Sequence, residues 1–431
     1  MAADRSGGRL AARVAELARE RVDHRFKGLP PDADGLTVGE LAAQRRDLFD
    51  GGFTTPVLAL SAERLRHNLE LMAAYSERHG LLFAPHGKTS MAPQLFARQL
   101  EYGAWGITLA VPHQVRVARA FGIQRVFLAN ELVDAAALRW LARELADDPG
   151  FEFVCYVDSV RGVELMDAAL SAAGSVRPVD VVVELGAGAS ARTGVRTEAE
   201  CAAVADAVAA ASHLRLVGVA GYEGEVPDAS PERVREWLQR LVALAVAFDG
   251  EGRFEGASIV VSAGGSAWFD AVAEVFAGIP PLSRPVSKVL RSGAYVSHDD
   301  GHYRRLTPFN RVASEGALEP AFLLWAQVVS RPNGEQAFVN AGKRDAAYDL
   351  DLPEVQVVRS AEGGVREADG VVLTALSDQH GWVRTEPGAE LSVGDWVGMG
   401  LSHPCTSFDK WQLIPVVESD GTVVEFVRTY F

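Results

Sequence analysis

The segment Phe83–Met91, FAPHGKTSM, contains a lysine that could bind a phosphate or take part in covalent chemistry. A nucleotide-binding loop of the Walker type has a further glycine before its Gly-Lys pair, so that successive backbone N–H groups surround the phosphates. Here the corresponding position is Leu82, and the apolar run Leu82–Pro85 is typical of the end of a buried strand. Lys88 therefore follows a strand end, and a nucleotide-binding loop does not account for it.

A second segment, SAGGS at Ser262–Ser266, has the composition of an anion-binding turn. The adjacent Gly264 and Gly265 let backbone N–H groups approach an anion closely, and Ser266 can donate its hydroxyl. The helix expected to follow adds the positive end of its dipole. Such a turn alone is most often only a turn, but after the seventh strand of a barrel it favours phosphate binding.

A lysine at a strand end together with a phosphate-binding turn predicts pyridoxal 5'-phosphate as the cofactor. This cofactor needs an amine for its Schiff base and an anion site for its phosphate. Lys88 would supply the amine, and Ser262–Ser266 would supply the anion site.

His403 and Cys405, in SHPC, form a possible metal site. On an extended segment, residues two apart project to the same side, and an imidazole beside a thiolate favours zinc. Two protein ligands would leave positions for water and substrate, as in a catalytic zinc site. The alternative is a buried cysteine near a surface histidine. His380, in SDQHG, would line the same space or be a loop histidine bonded to backbone.

A (β/α)8 barrel would position these residues. Continuously hydrophobic runs, as expected of strands covered on both sides, alternate with helical or short connecting stretches. The predicted strands are Leu81–Ala84, Trp105–Val111, Arg125–Ala129, Phe151–Val157, Val179–Leu185, Leu214–Gly221, Ser258–Ser262 and Lys288–Tyr295. Functional groups should gather at the carboxyl ends of these strands, where Lys88 and Ser262–Ser266 lie.

The chain divides into three predicted parts. Residues 1–54 contain an amphipathic helix, residues 55–311 form the barrel, and residues 312–431 form a β domain that the N-terminal segment joins. In the last part, strand pairs with turn residues such as Pro-Asn-Gly replace the helical periodicity. The apolar face of the N-terminal helix is predicted to consist of Leu10, Val14, Leu17 and Val22.

The composition restricts the partners. The formal net charge of -15 argues against a nucleic-acid surface or an anionic membrane, because both require clustered Lys and Arg. No apolar run reaches membrane-spanning length, and the three cysteines are too scattered for a disulfide framework. We therefore expect a cytoplasmic protein that acts on a small molecule.

Six motifs resemble those of the D-serine dehydratase and D-threonine aldolase family of pyridoxal-phosphate enzymes. That family has an alanine-racemase-like (fold type III) barrel and a C-terminal β domain. The resemblance runs from about Thr55 to Cys405, and its motifs in this chain are PHGKT, ARTGV, SAGGS, RSGAYV, SDQHG and SHPC.

The resemblance implies roles for individual residues. Lys88 would be the Schiff-base lysine, Arg192 would contact the phenolic oxygen of the cofactor ring, and Tyr222 would lie against the ring. The implied cofactor-binding residues are Lys88, His86, Arg192, Tyr222, Ser262, Gly264, Gly265, Ser266 and Tyr295. His380 would join Lys88 in catalysis, and a homodimer is implied in the same way.

The implied reaction is a zinc-assisted dehydration of D-serine or a related D-β-hydroxy-amino acid, which gives a 2-oxo acid and ammonia. Lys88 would remove the α-proton, and zinc on His403 and Cys405 would hold the substrate's β-hydroxyl. The family carries His-x-Cys in its dehydratases and His-x-Asp in its metal-dependent aldolases. A D-threonine aldolase, an amino acid racemase and a non-catalytic cofactor-binding protein are the alternatives.

Four positions, in three motifs, depart from the family pattern. Ser90 follows Lys-Thr where the family often has histidine, and Glu225 stands where a histidine commonly follows Tyr-x-Gly. Asp378 and Gln379 replace the usual Glu-Glu. These positions fall at the mouth of the predicted pocket, so they bear on the substrate more than on the cofactor.

Overall fold

The computed structural model describes residues 2–431, with side chains from residue 8 onward. The α-helices are α1 (Ala2–Glu16), α2 (Val38–Ala43), α3 (Ala62–Arg78), α4 (Pro93–Glu101), α5 (Pro112–Ala120), α6 (Ala135–Asp147), α7 (Val160–Ala172), α8 (Glu198–Ala210), α9 (Pro231–Gly250), α10 (Phe269–Ala277), α11 (His302–Leu306) and α12 (Pro404–Phe408). The strands are β1 (Val57–Ser61), β2 (Leu82–Phe83), β3 (Ile107–Leu109), β4 (Arg125–Glu131), β5 (Glu152–Val157), β6 (Val179–Leu185), β7 (Leu214–Gly221), β8 (Ile259–Ala263), β9 (Val286–Leu290), β10 (Phe322–Ser330), β11 (Gln336–Val339), β12 (Glu354–Arg359), β13 (Val365–Glu367), β14 (Val371–Leu376), β15 (Gly381–Thr385), β16 (Trp396–Gly400), β17 (Leu413–Val417) and β18 (Val423–Arg428).

The chain forms two compact units by its contacts. The first unit comprises Met72–Lys88 and Gln99–Gly293, together with the start of the chain up to Leu10. The second comprises Ala11–Leu71, Thr89–Arg98 and Ala294–Phe431.

The first unit contains a parallel sheet of eight strands in the order β2-β9-β8-β7-β6-β5-β4-β3. Its two ends are joined by a bridge between His86 and Thr108 and by a 2.7 Å hydrogen bond from the Trp105 N–H to the Phe83 carbonyl. The sheet is therefore closed, and the predicted barrel is confirmed.

The barrel strands bury side chains on both faces, which explains their continuous hydrophobic runs. The interior cluster consists of Ala84, Phe127, Val154, Tyr156, Val182, Val217, Ala220, Val260 and Val289. The last barrel strand ends at Leu290, earlier than the predicted Tyr295, because Ala294–Val296 forms a 3-10 turn instead.

Polar caps start the helices that follow four successive barrel strands. Side-chain oxygens of Asp134, Ser159, Thr197 and Ser230 accept hydrogen bonds from backbone N–H groups in the first turns of α6 to α9. These caps satisfy donors that a helix start leaves unpaired, so each helix begins at a defined distance from its strand.

The second unit is built on a ten-stranded sheet with the main order β13-β12-β16-β10-β1-β17-β18. Strand β11 also pairs with β10, β15 pairs with β11, and β14 pairs with β15. β1 pairs with β10 in antiparallel register, Val57 opposite Trp325, and with β17 in parallel. β1, which lies within the range predicted for the barrel, thus belongs to the sheet of the second unit.

The N-terminal segment packs on the same sheet. Val22, Phe26 and Leu29 share a buried cluster with Trp325 and Phe426. The predicted helix is too long at its C-terminal end, because α1 ends at Glu16 and Val22 lies in an extended segment after it. Among the helices described, none has both the length and the apolar content to cross a membrane.

Candidate active site

Lys88 lies just past the carboxyl end of β2, in the 3-10 turn Gly87–Thr89. The chain continues beside the end of β9 beyond the strand proper: the Ala84 N–H donates to the Leu290 carbonyl at 2.8 Å and the His86 N–H donates to the Ser292 carbonyl at 3.4 Å. Lys88 is half-buried there. This is the face of a barrel on which catalytic groups are carried.

His86 has a buried ring nitrogen, Nδ1, that meets no hydrogen-bond partner among the residues described. Burial, with the nearby charges of Lys88 and Arg291, holds the pKa of His86 well below its ordinary value. The imidazole is therefore neutral near pH 7, and its orphaned nitrogen calls for a polar group that the chain itself does not supply.

The loop after β8 requires glycine. Gly264 has φ +107°, and a Cβ built on it would lie 2.2 Å from Leu290 Cδ1. A Cβ on Gly265 would lie 2.7 Å from Cε2 of the Tyr222 ring. The positive φ of Gly264 therefore favours glycine, and a side chain at position 265 would require the Tyr222 ring to move.

The N–H groups of Gly264 and Gly265 both donate to one carboxylate. Gly264 donates to Glu223 Oε2 at 2.8 Å, and Gly265 donates to Glu223 Oε1 at 2.6 Å. Sequence reasoning assigned these donors to a phosphate and gave Glu223 no role. The loop does have the geometry to hold an anion, since it holds the carboxylate of Glu223.

Ser262 and Ser266 differ in their surroundings. Ser262 is fully buried; its hydroxyl donates to the Val289 carbonyl at 3.0 Å and accepts a hydrogen bond from Arg291. Ser266 is only half-buried, and its hydroxyl lies 3.3 Å from that of Ser292. Two hydroxyls thus meet beside the loop after β8.

Arg291 is a buried cation that sequence reasoning did not single out. It is 4% exposed, donates to the Gly221 carbonyl at 2.7 Å, and its guanidinium carbon lies 5.4 Å from the ring centre of Phe127. The signal was present, because a charged residue directly follows an apolar strand and opens the motif RSGAYV.

Arg192 and Tyr222, both predicted to contact the cofactor, are neighbours. The Arg192 guanidinium carbon lies 5.7 Å from the centre of the Tyr222 ring. The Arg192 side chain is 71% exposed, and its guanidinium pairs with Glu225, one of the residues that depart from the family pattern.

Three acidic residues also meet at the carboxyl ends of adjacent strands. Oxygens of Glu131, Asp158 and Glu184, at the ends of β4, β5 and β6, lie within 4.8 Å of one another. Burial, and next the charge of Glu184, raise the pKa of Glu131 to about 9. Glu131 is therefore protonated near pH 7, which relieves the repulsion between the carboxyl groups.

His403 and Cys405 lie in the second unit, after β16. The prediction of an extended segment is wrong here: His403 has φ +59°, and Cys405 is in the first turn of α12. Pro404 takes the first helical position, where its fixed φ and missing N–H suit a helix start. The two side chains are nevertheless within hydrogen-bonding distance of each other. This hydrogen bond to Cys405 is the main cause that raises the pKa of His403 to about 9.

Two carboxylates fix His403. Its Nδ1 lies 2.5 Å from Asp349 Oδ2, and its backbone N–H donates to Asp299 Oδ2 at 3.0 Å. Thr406 holds the other Asp349 oxygen at 2.8 Å. A carboxylate on Nδ1 leaves Nε2 as the nitrogen that can bind a metal. Histidines that ligate a metal commonly have such a carboxylate on their other ring nitrogen.

The remaining predicted residues are also in the second unit. Cys405 Sγ lies 3.5 Å from Thr89 Oγ1, and Thr89 is bonded in the chain to Lys88. Tyr295 is buried in the turn Ala294–Val296. His380 is exposed at the turn between β14 and β15, where its carbonyl accepts from the Ser377 N–H at 2.8 Å.

These residues fit pyridoxal phosphate. Lys88 offers an amine at a barrel-strand end, and the orphaned Nδ1 of His86 offers an unused polar contact two residues before it. Glu223 takes the N–H groups of the loop after β8, but the Ser266 and Ser292 hydroxyls meet beside this loop and offer donors to an anion. Amine, ring contact and anion site are the groups that this cofactor requires.

Two family models match the chain. The model described as "Alanine racemase, N-terminal domain" matches residues 60–279, just over half of the chain. The model described as "Putative serine dehydratase domain" matches residues 321–417.

Curated relatives cover nearly the whole chain. A D-threonine aldolase from Arthrobacter sp is 28% identical over 374 residues, which is 86% of this chain and 90% of the relative. A 3-hydroxy-D-aspartate aldolase from Paracoccus denitrificans (strain Pd 1222) is 26% identical over 389 residues, 88% of this chain and 93% of the relative.

Solved structures share the fold. The crystal structure of D-threonine aldolase from Filomicrobium marinum has a TM-score of 0.74 at 26% identity and covers 88% of this chain and 95% of its own. D-threo-3-hydroxyaspartate dehydratase from Delftia sp. HT23 has a TM-score of 0.67 at 20% identity, over 89% and 99% of the two chains, and supports the fold only. The chain belongs to the D-serine dehydratase and D-threonine aldolase family of fold type III pyridoxal-phosphate enzymes, whose barrel is that of the alanine racemase N-terminal domain.

Proposed function

We propose that this enzyme is a pyridoxal-phosphate- and zinc-dependent dehydratase of D-serine or a related D-β-hydroxy-amino acid, giving a 2-oxo acid and ammonia. Family membership supports a lyase that acts on D-amino acids. The observation that carries the finer proposal is the His403 and Cys405 pair, oriented by Asp349, because a thiol stands where metal-dependent aldolases of the family have a carboxylate.

Lys88 would hold the cofactor and then serve as the base. Lys88 follows the carboxyl end of β2, and its amine would take the α-proton of a bound amino acid. Pyridoxal phosphate, when bound, supplies an electron sink for the charge that remains on the α-carbon. The neutral imidazole of His86 would contact the cofactor through Nδ1, and Tyr222 and Tyr295 would complete its surroundings.

His403 and Cys405 would hold zinc through Nε2 and Sγ. Zinc bound there would act as a Lewis acid on the substrate's β-hydroxyl and make hydroxide a better leaving group. Asp349 would keep the imidazole in the orientation that presents Nε2. The Thr89 hydroxyl, whose Oγ1 lies 3.5 Å from Cys405 Sγ, would help to fix the position of the thiol. His380, exposed in its turn, is proposed as a further contributor to catalysis on the resemblance alone.

An aldolase is the second candidate. The curated relatives at 28% and 26% identity are a D-threonine aldolase and a 3-hydroxy-D-aspartate aldolase. An aldolase would use the same lysine and metal but would break the bond between the α- and β-carbons, so that glycine and an aldehyde form without ammonia.

The products distinguish the two candidates. Purified protein with pyridoxal phosphate and zinc would be given D-serine, L-serine, D-threonine and D-3-hydroxyaspartate, with and without a chelator. Ammonia and 2-oxo acid from the D-substrates, lost with the chelator, are the expected result. Formation of glycine and an aldehyde without ammonia would support the aldolase instead of the dehydratase. Equal turnover of D- and L-serine would contradict both proposed functions.

A further inference from the structure

Glu223 is a buried acid at the predicted phosphate loop. It is 0% exposed, in the 3-10 turn Glu223–Glu225 that follows β7. Its two oxygens accept the backbone N–H groups of Gly264 and Gly265 at 2.8 and 2.6 Å. Burial raises the pKa of Glu223, whereas these hydrogen bonds act in the opposite direction.

The two glycine N–H groups cannot serve Glu223 and a phosphate fully at once. A phosphate that displaced the carboxylate would leave a fully buried acid without its donors, which is among the most costly arrangements in a protein interior. A phosphate that left the carboxylate in place would need other donors. The Ser266 and Ser292 hydroxyls, 3.3 Å apart, lie directly after the loop and after β9.

The loop is also fixed on its other sides. Leu290 occupies the space into which a side chain on Gly264 would project, and the Tyr222 ring does the same for Gly265. Glu223 therefore completes a set of contacts that defines where Ser266 is held.

We propose that Glu223 is a positioning residue for the cofactor: it holds the N–H groups of Gly264 and Gly265, and the phosphate of the cofactor is bound beside them by the Ser266 and Ser292 hydroxyls. This inference rests on the proposed pyridoxal-phosphate function. It moves the phosphate from the glycine N–H groups, where the sequence predicted it, to the hydroxyls that follow.

The test compares two ligands that differ only in the phosphate. Apo protein in the wild-type form and as Glu223→Ala and Glu223→Gln would be titrated with pyridoxal phosphate and with pyridoxal, and binding would be followed by cofactor fluorescence. The matched control is Glu274→Gln on α10, which alters an exposed ion pair between Glu274 and Arg235 of α9.

Both Glu223 variants should lose about tenfold or more in affinity for pyridoxal phosphate, since each loses charge-assisted hydrogen bonds to the loop. Affinity for pyridoxal should stay at the wild-type value. Unchanged affinity of the variants for pyridoxal phosphate would overturn the inference. Tighter binding would also overturn it, because Glu223 would then compete with the phosphate for the glycine N–H groups. Equal losses for both ligands would also overturn it, because the effect would not pass through the phosphate.

A measurement on wild-type protein covers the case in which the variants do not fold. The hydrogen-exchange rates of the Gly264 and Gly265 amides should be slow in apo protein and unchanged when pyridoxal phosphate binds. A large change in both rates would contradict the proposed arrangement. Failure of wild-type protein to bind the cofactor at a lysine would remove the proposed function as well, whereas tight wild-type binding with unaffected variants would remove only this inference.

Discussion

The Nδ1 atom of His403 lies 2.5 Å from Oδ2 of Asp349, so one nitrogen of the predicted metal ligand is already bound to a carboxylate. Replacing Asp349 with Asn should therefore weaken metal affinity about 10- to 100-fold, because the imidazole loses its orientation and basicity. Zinc affinity would be measured by competition with a chromogenic chelator. Asp420→Asn, in the exposed turn before β18, is the control, and equal affinities in the two variants would contradict the role of Asp349.

Lys88 should be the attachment point of the cofactor. Lys88→Ala is expected to abolish the absorbance of lysine-bound pyridoxal phosphate and all turnover, because the amine is the covalent partner. The exposed Lys343, changed to Ala, should retain both. Persistence of the lysine-bound band in Lys88→Ala would show that another lysine holds the cofactor.

Only one of the three cysteines should react with a thiol reagent in native protein. Cys155 and Cys201 are buried, and burial raises the pKa of the Cys201 thiol to about 12. Cys405 is half-buried, so its sulfur is more accessible to a reagent than those of the other two cysteines. Zinc should protect Cys405 from the reagent, and Cys405→Ala should remove the reactive thiol. Labelling of Cys405 that is equally fast with and without zinc would argue against its being a ligand.

Stability should fall as the pH rises from about 5 to 9 because of Glu131. The pKa of Glu131 is about 9 in the folded chain, raised by burial from 4.5, so the folded state holds a proton that the unfolded state releases in this window. By linkage, the stability present below pH 4.5 is lost progressively toward pH 9.

Glu131→Gln should remove this loss, since the amide imitates the protonated acid. We expect the variant to exceed wild type by about 1 kcal/mol or more at pH 8.5 and to match it near pH 5. Urea unfolding at the two pH values measures the difference, with the exposed Glu164→Gln as control. A variant that is less stable than wild type at pH 8.5 would mean that the ionised form of Glu131 is needed.

Gly264 should be the less replaceable of two glycines near α10. Gly264→Ala is expected to cost about 2 kcal/mol or more, because of its positive φ and the 2.2 Å approach of a Cβ to Leu290. At Gly278 the nearest atom would lie 3.4 Å from a Cβ and φ is -85°, so Gly278→Ala should be nearly neutral. Thermal unfolding of both variants measures the two stability losses. A larger loss in Gly278→Ala than in Gly264→Ala would refute the prediction.

The barrel was predictable from sequence because its strands are local and strongly apolar. Each strand is a short run buried on both faces; Gly264 follows one of these runs directly, and Lys88 follows another in the turn after it. A position relative to a strand end is a property of a few neighbouring residues, so it can be read without knowledge of the fold.

Partners that lie far apart in the chain were not predictable in this way. Nothing near His403 in the sequence points to Asp349, and nothing near Gly264 points to Glu223. The turn at His403 was missed because spacing was read as for a strand, although Pro404 favours a helix start. Apolar patterning identified β1 as a strand but could not identify its neighbours, β10 and β17.

The pairing of β1 also sets an order of events during synthesis. β1 leaves the ribosome long before β10 and β17, the strands that flank it in the finished sheet. Until they arrive, an apolar strand with two open edges is a template for wrong pairing and aggregation. The sheet of the second unit can therefore be completed only after β10 and β17 have been synthesised, and a fragment that stops at the end of the barrel would carry β1 without either partner.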